Sequence, residues 1–139
     1  VQELVQKKIL AVSAAAVTIA LVGIFLGMET KEGTKEPEII PNLVSITMSS
    51  SRPGCEESNT CYLPSEVVIY QGESVTWKND DSAFHTVTGG HYDKPDGTFD
   101  SGQLDAAETF SHKFEEGGFH DYYCRLHPWM KGTVIVRFT

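Results

Sequence analysis

Cys124, His127 and Met130 fall at equal three-residue steps in one short loop, inside the run from Tyr122 to Gly132. A loop this short can curl and aim a thiol, an imidazole and a thioether at one point. Thiolate and thioether are soft donors, and imidazole suits copper. Two His and one Cys in a plane, with a weak axial Met, form the donor set of electron-transfer copper sites. The loop carries three of those four donors. The fourth must be a His from elsewhere, so the chain has to fold in a way that brings remote segments together.

His85 is the strongest fourth donor. It closes a short turn, Asn79 to Phe84, that follows the strand-like run ending Trp77-Lys78, and a second run starts at the His itself. Between His85 and Cys124 lie 38 residues, too many for a local motif and suited to a two-sheet sandwich. Three other histidines compete. His91 stands in a Gly-rich loop and reads as exposed. His112 shares a face with Phe110 and Phe114 and reads as a core or edge residue. His120 reads as solvent-facing, beside Asp121. None is followed by a strand as His85 is. Met28 and Met48 compete poorly with Met130, one lying in a long apolar run and the other in a strand.

Taken in this order, His85, then Cys124-x-x-His127-x-x-Met130, then Lys131-Gly132-Thr133-Val134-Ile135-Val136, the chain resembles the cupredoxins. Its short ligand loop is more similar to amicyanin than to plant plastocyanin. Cys55 and Cys61, the Asn-Asp-Asp turn, His85-Thr86-Val87 and His127-Pro128-Trp129-Met130 look like the membrane-anchored plastocyanin-like proteins of ammonia-oxidising archaea. The resemblance covers roughly residues 41 to 139. It implies an all-β Greek-key β-sandwich with one type 1 copper ion held by His85, Cys124, His127 and Met130. It also implies that electrons enter or leave by the His127 edge, through a docking patch of Pro128 and Trp129. Tyr123, beside Cys124, offers a second path. Asn79 and Thr86 are expected to support the ligands, since such partners orient a metal-bound His and tune a thiolate. The resembling proteins often carry Asn after the first His where this chain has Thr86, whose backbone N–H can still donate to sulfur. Arg125 adds a cation one residue from the thiolate, either as a tuning or docking charge or as an ordinary solvated residue.

The hydrophobic period supports the sandwich independently. From Leu43 on it is two: Val44, Ile46 and Met48 alternate with polar residues, as do Val75 and Trp77, then Phe110, His112 and Phe114, then Val134, Val136 and Phe138. Gln71-Gly72 and Gly117-Gly118 read as turns. Several short alternating strands with turn signals between them indicate a Greek-key arrangement. Gly89 to Gln103, rich in Gly and Asp, reads as a surface excursion.

Residues 9–28 hold no charge, only Ser13 and Thr18 are polar, and Lys7 and Lys8 precede the run. Twenty such residues match a membrane helix, oriented with the lysines inside. A cleaved signal peptide is the competing reading, and either one exports the remainder of the chain. Residues 1–28 are therefore expected as an anchor, 29–41 as a charged linker, and 42–139 as the copper domain. Of the three cysteines, Cys124 is taken by the metal. Cys55 and Cys61 are expected to pair as a disulfide outside the cytoplasm, against free surface thiols or a second metal site.

The chain carries a net charge of −8, and residues 42–139 hold seven basic against fourteen acidic side chains. That balance argues against nucleic acid and favours either a cationic redox partner or simple solubility. The expected function is one-electron transport in a respiratory chain on the outer face of the membrane, with no enzymatic activity of its own. The alternatives are an accessory copper subunit of a membrane oxidase or mono-oxygenase, a copper carrier, or a small redox enzyme. A carrier would want a Met- or His-rich segment, which is missing from the sequence. An enzyme would want an open metal position.

Overall fold

The computed structural model describes residues 40–138. The apolar run 9–28 and most of the linker lie outside them. Among the described residues no helix is long and apolar enough to cross a membrane.

Among the described residues nine strands build two sheets. They are β1 (Leu43–Ile46), β2 (Tyr62–Leu63), β3 (Glu66–Tyr70), β4 (Ser74–Asn79), β5 (Thr88–His91), β6 (Lys94–Asp100), β7 (Thr109–Lys113), β8 (Gly118–Tyr123) and β9 (Lys131–Arg137). One sheet has the order β2-β1-β4-β7, the other β3-β9-β8-β5-β6. Parallel pairs β1/β4 and β3/β9 sit among antiparallel neighbours. Non-consecutive strands lie side by side in both sheets, as in a Greek key. One short 3-10 turn, Cys55–Ser58, is the only helical element among the described residues.

Strands β1, β3, β4 and β9 bury alternate residues because successive side chains leave opposite faces of the pleat. In β4 these are Val75, Trp77 and Asn79; in β9, Val134 and Val136. Trp77 is the centre of the core. Its ring stacks near Phe99 and Phe110 and meets Tyr122 edge-on at 5.2 Å between centroids. Met48 departs from the expected alternation: β1 ends at Ile46, and Met48 is exposed on the loop beyond it.

The region from Gly89 to Gln103 is not a surface excursion. It contains the β5–β6 hairpin, and Phe99 from it enters the core. Its glycines mark close backbone approach, which composition alone does not distinguish from loop. Gly90 has φ +102°, and a Cβ there would run into the backbone carbonyl of Lys94. Gly89 lies under the side chains of Thr98 and Asp96.

Gly132, at the start of β9, has a similar constraint. A Cβ there would fall on the Tyr122 hydroxyl and within 2.9 Å of the Ser65 carbonyl oxygen. Tyr122 is fully buried, and Gly132 is its partner across the ladder. Gly132→Ala is therefore expected to destabilise the domain by about 2–3 kcal/mol through overpacking. An unchanged midpoint in denaturant unfolding would contradict this.

Candidate metal centre

The pairing of β5 with β8 brings the predicted donors together. The strands are antiparallel, with Thr88 opposite Tyr123, so the segment entering β5 lies beside the residues leaving β8. His85 is on the first, bridged to Leu104, and Cys124 is on the second. The loop between β8 and β9 is closed by two backbone bonds: Cys124 N–H to the Met130 carbonyl at 3.2 Å, and Met130 N–H to the His127 carbonyl at 2.9 Å. His127 is thereby carried back over Cys124.

Three donor atoms converge. His127 Nδ1 lies 3.1 Å from His85 Nδ1 and 3.5 Å from Cys124 Sγ, and His85 Nδ1 lies 3.9 Å from that sulfur. A first-row ion about 2.0 Å from nitrogen and about 2.3 Å from sulfur bridges N···N gaps up to about 4.0 Å and N···S gaps up to about 4.3 Å. All three separations are within those limits. Cys124 and His85 are buried, while His127 is partly exposed. Met130 is fully buried at the end of the same loop. Among the described residues, the one other cluster of this kind is Cys55, Glu56 and Cys61, whose two sulfurs are joined in a disulfide.

The tautomer of His85 is fixed from behind. Its Nε2 lies 3.0 Å from Asp81 Oδ2, and both side chains are buried. Asp81 also accepts backbone N–H bonds from Ser49, Ser51 and Ser82. Burial pushes its carboxyl up, but the bonds from His85 and those three amides outweigh burial and hold it far below the usual range. A carboxylate here keeps the proton on Nε2 and leaves the Nδ1 lone pair facing the sulfur. Burial likewise pushes the Cys124 thiol up, but His85 and the backbone N–H groups of Thr86, Leu126 and His127 bring it below its ordinary value. His127 is lowered by burial and by its neighbour His85. Burial pushes the His85 imidazole down, but its bonds to Cys124 and Asp81 outweigh burial and raise it above its ordinary value. The shifts at Cys124 and His127 thus favour the thiolate and the neutral imidazole that a metal requires, and at His85 a metal would displace a proton.

Asp81 was not among the residues expected from sequence. The signal was present as the i, i+4 spacing to His85, but it has meaning only once the turn closes. Asn79 closes it. Its Nδ2 donates to the carbonyls of Ala83 and Leu104, and its Oδ1 accepts from Asp81 N–H. Asn79 thus acts on His85 through Asp81 and not by direct contact. Thr86 donates its backbone N–H to Cys124 Sγ at 3.4 Å. Pro128 is exposed, and Trp129 packs near His127 and anchors its indole N–H on the Ser50 carbonyl. Tyr123 is buried, with its ring edge against the exposed Tyr92.

The other histidines lie elsewhere. His91 is exposed, 3.6 Å from Asp121. His112 stacks on Phe99 at 4.8 Å, and burial lowers its basicity. His120 differs from expectation: it is half-buried against Phe114 with Nε2 on the Glu116 carbonyl, and Asp121 takes the Thr133 hydroxyl instead.

Residues 51–137 match the family of copper binding proteins described as plastocyanin/azurin. The chain is 38% identical over 74 residues to amicyanin-alpha of Methylorubrum extorquens, a stretch covering 51% of this chain and 60% of that one. It is 32% identical over 92 residues to plastocyanin of Scenedesmus fuscus, 60% of this chain and 94% of that one. The solved structure titled a novel purple cupredoxin from Nitrosopumilus maritimus superposes with a TM-score of 0.62 at 33% identity, over 68% of this chain and 98% of that one. The chain spans about three fifths of the amicyanins' own length. A β-sandwich with a Cys-His-His cluster at one end defines a cupredoxin. This chain belongs to the plastocyanin/azurin family of copper-binding proteins, and its cofactor is one copper ion.

Proposed function

We propose that the domain is a one-electron carrier whose copper ion would be held by His85, Cys124, His127 and Met130. The observation that carries this is the convergence of three donors in a buried pocket whose one partly exposed member is His127. Copper supplies the Cu(I)/Cu(II) couple. The chain's own contribution is rigidity. Asp81 locks one imidazole, Thr86 holds the sulfur, and backbone bonds close the loop, so little rearranges when an electron moves. Four protein donors leave no position for substrate, so the domain is a carrier and not an enzyme.

His127 is the electron port in this reading. Its flanks are apolar: Leu126 and Pro128 stand on either side, Trp129 packs against the ring, and Leu126 is about half exposed. Such a patch allows close, brief docking of a redox partner. Tyr123 and Tyr92 form the second path. The domain works outside the cell membrane in a respiratory chain, tethered by residues 9–28 through the linker to Pro41. The uncharged 20-residue run supports this, as does the disulfide between Cys55 and Cys61.

One equivalent of Cu(II) added to the exported domain is expected to give an intense thiolate-to-copper band and a single EPR species. Absence of that band rejects the ligand set. Leu126→Glu is expected to leave the band in place and to slow electron self-exchange roughly tenfold, because like charges then meet at the port. Unchanged exchange would move the port away from His127.

A further inference from the structure

The Thr86 hydroxyl begins a chain that ends at a carboxylate on β6. Arg125 N–H donates to Thr86 Oγ1 at 2.9 Å. Thr86 Oγ1 lies 3.1 Å from Thr88 Oγ1, and Thr88 Oγ1 lies 3.4 Å from Asp100 Oδ1. Both threonines are buried. A hydroxyl has one proton to give, and a carboxylate only accepts. Thr88 therefore spends its proton on Asp100 and must accept from Thr86. Thr86 spends its proton on Thr88 and accepts from Arg125. Every bond points the same way: Arg125 N–H, Thr86, Thr88, Asp100. A chain of aligned donors ending on a charge strengthens along its length.

The start of this chain touches the metal loop at two points. Thr86 gives its backbone N–H to Cys124 Sγ, and its hydroxyl holds the amide of the next residue, Arg125. The Thr86 carbonyl is held in turn by the Tyr62 hydroxyl at 2.8 Å. Asp100 is itself fixed by Gly102 N–H at 2.8 Å and by the Arg125 guanidinium at 3.2 Å. That guanidinium closes a ring, so the carboxylate at the end of the chain is tied back to the residue at its start.

The geometry points to Thr86, Thr88 and Asp100 as positioning residues of the copper centre. Through one polarised hydrogen-bond chain they set where the Cys124–Arg125 backbone lies against β5. The inference rests on Cys124 as a copper ligand, and it assigns roles to two residues, Thr88 and Asp100, that touch no donor. Removing the Thr86 hydroxyl leaves the Arg125 N–H without its part-buried partner. Removing Asp100 removes the acceptor that orders both hydroxyls.

The test uses the copper-loaded chain and four variants. Thr86→Val keeps the N–H to sulfur and loses the hydroxyl. Asp100→Ala loses the acceptor, whereas Asp100→Asn retains an oxygen that can accept. Thr86→Val and Asp100→Ala are each expected to shift the thiolate-to-copper band and to speed copper release to a chelator about tenfold, the lower end for residues that support a metal ligand. Asp100→Asn should restore most of both. The double variant Thr86→Val with Asp100→Ala should be no worse than Thr86→Val, because the two act along one chain.

A role in folding alone would lower the unfolding temperature and leave the band where it was. An unmoved band in both single variants overturns the proposal, as does an additive double variant. Loss of the band in wild type, or its survival in Cys124→Ser, is a different outcome: it removes the ligand assignment itself.

Discussion

Cys124→Ser abolishes the thiolate-to-copper band and weakens copper binding by at least about a hundredfold, the upper end of what removing a mere supporting residue costs. The physical reason is donor softness. Sulfur as thiolate is available here because His85 and three backbone N–H groups lower its proton affinity against the effect of burial. A serine hydroxyl at the same point ionises far less readily, and its oxygen is a hard donor that Cu(I) accepts poorly. The two imidazoles remain, so weak Cu(II) binding without the colour is expected. The metal-free fold should survive, since the serine oxygen can still accept the Thr86 N–H that now reaches Cys124 Sγ. Its stability should change by no more than about 1 kcal/mol, the scale of one hydrogen bond. Titration with Cu(II) followed by absorption and EPR, together with denaturant unfolding of the metal-free domain, separates the effects. A coloured, electron-transferring Cys124→Ser would mean that copper sits elsewhere. Among the described residues the one other thiol cluster is closed as a disulfide, so no second thiolate is at hand to give the band.

The range of each interaction decides how far it can be read from the amino acids. Period-two alternation reports which face of a strand is buried, and it located the strands carrying Trp77, Phe110 and Val134. The ligand loop was legible because three donors lie within seven residues. His85 was placed by its position between a turn and a strand. The β5–β6 hairpin was not legible, because glycines that permit close packing of two backbones have the same composition as a loop. Asp81 was missed for a related reason. Its value to His85 depends on Asn79 closing the turn on Leu104, a residue 25 positions away. His120 takes a carbonyl only four residues back, but its half-burial comes from packing on Phe114, which the alternation of its own strand does not report. The Thr86-Thr88-Asp100 chain joins β5, β6 and the ligand loop, and it exists only once those three are side by side.

Asp81→Asn carries the second large effect, and it divides into a metal part and a folding part. The carboxylate holds the proton of His85 on Nε2. An Asn in its place presents either an oxygen that is less basic or an NH₂ that cannot accept, so the Nδ1 lone pair is no longer enforced. Copper affinity should fall about 10- to 100-fold, as for other partners that orient a metal-bound His. The folding part is present without copper. Asp81 is 3% exposed and receives the Ser49, Ser51 and Ser82 amides as well as the His85 ring. Weakening those bonds should cost about 2 kcal/mol near neutral pH. The pH dependence has a definite sign. The folded carboxyl titrates below its unfolded value of about 3.9, so the stabilisation is complete above that value. It fades as pH falls through it toward the folded one. The gap between wild type and Asp81→Asn should therefore narrow steadily as pH falls below about 5. Denaturant unfolding of both metal-free proteins from neutral pH downward measures it. A gap that stayed constant with pH would show that the carboxylate's charge contributes nothing, and that its shape alone keeps the turn in front of His85.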